Sequence, residues 1–173
     1  MTTQVRVFSL VTMLAAVVII AACSDDDSSG PTVPREVFRA TLNGANERPT
    51  PITTNGTGTA EVVIFGTPGD SISFDVRIGT IDSVRLSHIH RGDVNTAGPI
   101  MFGFPNTVPP TNFAALGPFQ AGMITRASAT SGTFSGAFTF DSLLTHMRAG
   151  TAYVNVHTVR NGGGEIRGNL VKQ

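Results

Sequence analysis

The residues with the most chemistry to offer are histidines in two short motifs. His88-Ile89-His90 forms the first, and His157 stands in the second, Asn155-Val156-His157-Thr158. The run Gly162-Gly163-Gly164-Glu165-Ile166-Arg167-Gly168-Asn169-Leu170 follows a few residues later. Side chains on a strand alternate between faces, so an extended backbone puts His88 and His90 on one side and Ile89 on the other. The same alternation puts Tyr153, Asn155 and His157 on one face and Val154, Val156 and Thr158 on the other. If the two strands are neighbours, three imidazoles converge. Glu165 is then a fourth ligand or a hydrogen-bond partner of one of the rings. Imidazole nitrogens with a carboxylate suit a divalent transition metal such as copper or zinc. The same trio also suits a buried polar clamp, each neutral ring donating one hydrogen bond and accepting one. His146 lies in a predicted helix beside Met147 and Arg148 and stands outside this set.

Other chemistries find little support. Glu61, Asp75, Asp93 and Glu165 show no spacing that marks a glycosidase pair. No nucleophile elbow and no phosphate-binding glycine loop before a helix occurs. The 12 basic and 12 acidic residues balance, and no basic cluster exists to track phosphates, so nucleic acid is not an expected partner. The His-x-His pair is reminiscent of copper-zinc superoxide dismutases, but no histidine-aspartate loop for a second metal accompanies it. Glu165 and Arg167 alternate with Ile166, which predicts a charge network with Arg91 or Arg77. Glu47, beside Arg48 and Pro49, reads as part of an edge loop.

The elements that must position these groups are strands. Short apolar bursts of period near two, such as Phe74, Val76 and Ile78 between Ser73, Asp75 and Arg77, are separated by turn residues. They predict strands near Val37–Asn43, Gly58–Phe65, Ser71–Ile78, Val84–Arg91 and Pro99–Phe102. Others fall near Phe119–Arg126, Gly132–Phe140, Thr151–Thr158 and Glu165–Leu170. A short helix is expected from Ser142 to Arg148, capped by Asp141 at its start and Gly150 at its end. The fold class is therefore all-β, an antiparallel β-sandwich or Greek-key barrel with one short helix. Pro105–Pro118 lacks periodicity and reads as a long surface loop. With Phe104, Phe113 and Phe119 around it, the loop offers a contact surface, although the three rings suit the core equally and Phe119 suits it better. A faint internal echo supports a two-part build: in each half a histidine strand is followed by a loop, a glycine and an apolar strand.

The N-terminus speaks to location. Arg6 precedes an apolar stretch, Val7 to Ala22, interrupted only by Ser9 and Thr12. It is short for a bilayer span and has the form of a secretory signal. Ile20-Ala21-Ala22-Cys23 resembles the bacterial lipobox. By that resemblance residues 1–22 are a lipoprotein signal peptide, and Cys23 is lipidated and becomes the first mature residue. The anchor holds the protein in the cell envelope, and Ser24 after the cysteine points to the outer membrane where there is one. Residues 23–34 read as a flexible tether and residues 35–173 as one β domain. Cys23 is the only cysteine, so the domain is held without disulfides.

Several segments together resemble one family. They are FRATLNGANERPT near the domain start, GTGTAEV at Gly56–Val62, LSHIHRG at Leu86–Gly92 and GPI at Gly98–Ile100. AGTAYVNVHT at Ala149–Thr158 and GGEIRGNL at Gly163–Leu170 complete the set. In order and spacing they resemble the CHRD domain, named for the animal protein chordin. Asn169 stands where the family often has glutamine. The resemblance implies a β-rich extracellular module, which in chordin belongs to an antagonist of a secreted growth factor. Two functions follow as expectations. One is a surface-anchored, non-enzymatic module for adhesion or for binding a ligand or an extracellular or periplasmic protein. The other is a metal-binding protein built on His88, His90 and His157, with redox or hydrolytic activity.

Overall fold

The computed structural model describes residues 33–104, 109–130 and 134–173. The expected signal peptide, the lipobox with Cys23 and most of the expected tether lie outside these residues. Ten strands among the described residues form one antiparallel sheet, curled into a half-barrel. They are β1 (Arg35–Asn43), β2 (Thr57–Phe65), β3 (Ser71–Gly79), β4 (Ile81–Arg91) and β5 (Ile100–Gly103). The others are β6 (Thr111–Phe113), β7 (Gly117–Thr125), β8 (Ala152–Thr158), β9 (Ile166–Asn169) and β10 (Val171–Lys172). The order across the sheet is β5-β4-β8-β9-β1-β2-β3-β7, with β10 beside β1 and β6 beside β4.

Alternating side chains curl this sheet around one core. Phe38, Ala40 and Leu42 of β1 point inward and so do Val62 and Ile64 of β2, while Arg39 and Thr41 face solvent. On β3, Ile72, Phe74, Val76 and Ile78 take the same side. Ile89 of β4 and Val154 and Val156 of β8 complete it from the other half of the sheet. Each of the larger of these side chains contributes about 1.5–3 kcal/mol through removal from water. The two halves meet at a narrow seam, where β1 pairs with β9 only at Asn43↔Arg167.

The internal echo appears as two antiparallel hairpins. β4 pairs with β5, β8 pairs with β9, and the two histidine strands lie side by side at the centre. The Pro105–Pro118 stretch is not wholly loop: Thr111–Phe113 forms β6 and pairs with β4. Residues 105–108 lie outside the described set.

The segment predicted as a strand over Gly132–Phe140 is not one within its described part. Phe134 makes a single bridge to Phe102, and a turn follows in which Gly136 takes φ +61 and the Phe138 N–H donates to Ser135 O at 3.2 Å. A left-handed residue breaks the alternation that Phe134 and Phe138 suggested, yet both rings still pack against the core. Phe140 opens α1 (Phe140–Arg148). Its cap is Thr139 rather than Asp141: the Ser142 N–H donates to Thr139 Oγ1, and the Thr139 N–H donates to Ser142 Oγ, a reciprocal capping box. Asp141 sits in the first turn and pairs with Arg126 at 2.6 Å. At the far end Gly150 takes φ +70, and the Thr151 and Gly150 N–H groups close onto His146 O and Met147 O. Phe140, Leu143, Leu144 and Met147 form the buried stripe of this helix.

Two substitutions grade these contributions by urea unfolding. Leu143→Ala, at a fully buried position, costs about 2–5 kcal/mol. Thr139→Ala, which removes one side of the capping box, costs about 1 kcal/mol.

Candidate functional site

β4 and β8 pair antiparallel with Leu86↔His157, His88↔Asn155 and His90↔Tyr153. The alternation then brings His88, His90 and His157 together on the face opposite the hydrophobic core. One ring nitrogen from each lies within 4.8 Å of the others. His88 and His157 are closest, with Nδ1 and Nε2 2.9 Å apart. Ring centroids of His90 lie 5.6 Å from His88 and 5.7 Å from His157. His90 and His157 are buried, and His88 is half-buried at the rim.

Backbone carbonyls fix the tautomers. His90 Nδ1–H donates to Gly98 O at 2.9 Å, and His157 Nδ1–H donates to Gly162 O at 3.0 Å. A carbonyl only accepts, so each Nδ1 carries the proton and each Nε2 keeps its lone pair. His157 Nε2 accepts from His88 Nδ1–H. His90 Nε2 is buried with no hydrogen-bond partner in the structure. Burial is the main force holding all three rings neutral. It pushes His88 down to about 4, reinforced by His157 and His90, and His90 down to about 4 against the pull of the Gly98 carbonyl. His157 is lowered for the same reason.

This donor set fits a transition-metal ion. The rings are neutral at physiological pH, and two of them donate their one N–H to a backbone carbonyl, as metal-bound imidazoles do. The unpartnered Nε2 of His90 supplies a lone pair without breaking any bond. His88 is the exception: its Nδ1 proton must move before that nitrogen can bind.

Glu165 does not join the three rings. Its Oε1 accepts from Thr54 Oγ1 at 2.6 Å, and its Oε2 accepts from Thr158 Oγ1 at 2.7 Å and Asn161 Nδ2 at 2.8 Å. These bonds hold its carboxyl below the usual range although burial pulls the other way. The expected network with Arg91 or Arg77 does not form around it. Arg167 instead lies over the ring of Tyr153, 3.5 Å from its centroid, and is 1% exposed. The other face of Tyr153 stacks on His90 at 5.0 Å and 16°. Guanidinium, phenol and imidazole thus form one pile beside the site.

Glu47 is the residue that sequence reasoning missed. It was expected in an edge loop but is 3% exposed. The 3-10 turn Gly44–Asn46 steers the chain across β9, where the Asn46 side-chain amide donates to Arg167 O at 3.0 Å. Glu47 Oε2 then accepts from Asn155 Nδ2 at 3.4 Å. Burial pushes its carboxyl up to about 7 against the pull of Arg167. Only the shared face of Tyr153 and Asn155 hinted at this buried layer, and nothing in the sequence placed Glu47 there. Gly164, at φ +132, passes so close that a Cβ would sit 2.4 Å from the Asn155 amide. His146 stays apart, its Nδ1 2.9 Å from Thr151 Oγ1. The phenylalanines expected to form a contact surface pack inward. Phe104 is buried, and Phe113 sits edge-on to Phe119 at 5.5 Å against the core.

A family model described as the CHRD domain matches residues 38–170, and the chain belongs to that family. No curated protein and no solved structure matches it.

The charge states set a pH dependence for the metal-free protein. An unfolded imidazole titrates near 6.5, whereas His88 and His90 hold out to about 4 in the fold. Between those values the unfolded chain binds more protons, so stability falls as pH is lowered from about 6.5 toward 4. Glu47 opposes this, because its folded value of about 7 against 4.5 unfolded favours the fold as pH drops. Three lowered imidazoles outweigh one raised carboxyl. Urea midpoints measured from about pH 7 to about pH 4 therefore fall, and the fall is shallower in His88→Gln/His157→Gln.

Proposed function

We propose that the chain is a lipid-anchored protein of the bacterial cell envelope whose β domain binds one transition-metal ion, copper or zinc. His88, His90 and His157 hold the ion. The observation that carries this reading is the convergence of three neutral imidazoles, two with their outer N–H groups committed to carbonyls. A purely structural clamp gives no reason for one ring nitrogen, His90 Nε2, to be left buried and unpartnered. With the half-buried His88 at the rim, such a centre keeps a side open to an outside ligand. Zinc would supply Lewis acidity there, and copper one-electron chemistry. The adhesion reading loses its aromatic anchors, because Phe104, Phe113 and Phe119 are packed against the core.

The envelope location rests on the lipobox-like Ile20-Ala21-Ala22-Cys23. Cys23→Ala is expected to abolish radiolabelled palmitate incorporation and shift the protein out of the membrane fraction. Continued labelling would remove the anchor from the account.

Residues 33–173 form a compact unit of their own and serve for the metal test. Elemental analysis after copper or zinc loading near pH 7 is expected to give one equivalent, lost in His88→Ala and in His157→Ala. Tyr153 is the only tyrosine in a chain without tryptophan, and it stacks on His90. Its fluorescence is therefore expected to be quenched on copper titration with the same stoichiometry. Absence of stoichiometric metal between about pH 6 and 8 would end the proposal, since imidazoles are available to bind there.

A further inference from the structure

We infer that alternate side chains at and just before β9, Glu165, Arg167 and Asn169, are positioning residues that set the tautomers of His157 and His90 through two separate loops. The inference deepens the metal-binding reading and rests on it for the purpose of the tautomers, though not for their existence.

The geometry divides into two arms. Glu165 holds the loop between β8 and β9. Its Oε2 accepts from Asn161 Nδ2 at 2.8 Å and from Thr158 Oγ1 at 2.7 Å, and the Asn161 N–H donates to Thr158 Oγ1 at 3.0 Å. Gly162 is the next residue, and its carbonyl receives the His157 Nδ1 proton. Pinning Asn161 on both its backbone and its side chain therefore aims that carbonyl.

Arg167 and Asn169 hold the loop between β4 and β5. Arg167 Nη2 donates to the carbonyls of Asp93 and Thr96, the latter at 2.9 Å. Asn169 Nδ2 donates to Gly92 O at 3.1 Å. The same loop ends at Gly98, whose carbonyl receives the His90 Nδ1 proton. Tyr153, already braced by Arg167, closes the arm: the Gly98 N–H donates to its hydroxyl at 3.2 Å, and the hydroxyl donates back to Gly98 O at 3.4 Å.

Positions two apart on an extended chain share a face. One strand thus reaches two loops that are far apart in sequence and presents a carbonyl to each imidazole. Glu165, first considered as a ligand, acts two bonds removed from the ring it serves. The carbonyl partners of ligating imidazoles commonly govern affinity by about 10–100-fold, and these three side chains place those partners.

The test uses the full chain, metal-free, in detergent, with imidazole nitrogens labelled with 15N. Long-range 1H–15N correlation distinguishes Nδ1–H from Nε2–H tautomers. The wild type is expected to show pure Nδ1–H at both His90 and His157. Asn161→Ala, at a half-exposed position, is expected to mix the tautomers of His157 and leave His90 unchanged. Asn169→Ala and Arg167→Lys are expected to do the reverse. Asn169→Ala, half-buried, serves if the buried Arg167→Lys does not fold. Retention of both pure tautomers in Asn161→Ala and Asn169→Ala would overturn the inference, and so would equal loss at both rings in either variant. Zinc titration of the folded variants then adds a second arm, with dissociation constants expected to rise about tenfold or more. Unchanged affinity in variants whose tautomers have shifted would also overturn it. A wild type that binds no zinc would instead sink the metal reading, while the tautomer pattern still decides the positioning.

Discussion

The structure depends on the register between β4 and β8. Because Leu86 faces His157 and His88 faces Asn155, residues 69 positions apart in sequence bring ring nitrogens to 2.9 Å. A slip of one residue would turn His157 into the hydrophobic core and Val156 out of it. The register is guarded by that inner face, where Ile89, Val154 and Val156 are all fully or almost fully buried. The hydrophobic effect thus specifies the polar site on the opposite side of the same two strands.

The second constraint is that this opposite side is not left in water. All seven residues of β8 are buried, so loops cover its polar face as completely as the core covers its apolar one. Buried polar groups need partners, and most find them in the covering loops: Gly98 and Gly162 carbonyls for the histidines, Asp93 and Thr96 carbonyls for Arg167. Most of the buried atoms left unpartnered gather in this layer, on Glu47, Asn155, Arg167 and His90. A sheet polar on one side and dry on both is expensive to maintain. That cost is hard to explain as stability alone, because apolar side chains would cover the face at less expense. It is intelligible as pre-organisation of neutral imidazoles.

How much of this was legible in the sequence follows from the range of each signal. Period-two alternation is local, so Phe38 to Leu42, Ile72 to Ile78 and the faces of β8 were readable directly. The faint echo of two histidine-bearing halves left open that β4 and β8 lie side by side, and the register shows that they do. Local signals failed where a single residue overrode the pattern: Gly136 ended the apparent strand before Phe140, and the Thr139–Ser142 capping box started the helix before Asp141. They failed again where partners are distant. Glu47 meets Asn155 across 108 positions, and Glu165 meets Thr54 across 111. A carboxylate eight residues after a histidine reads as a ligand, but the three hydroxyl and amide donors that claim it are visible only in the fold.

The match to the CHRD domain over residues 38–170 spans both the packed β frame and the covered polar layer. The most direct test of the account is anomalous diffraction at the copper or zinc edge from crystals of the metal-loaded protein. The account predicts one strong peak about 2.0–2.1 Å from a nitrogen of each of His88, His90 and His157. A peak elsewhere, or well-ordered rings with no peak between them, would contradict it.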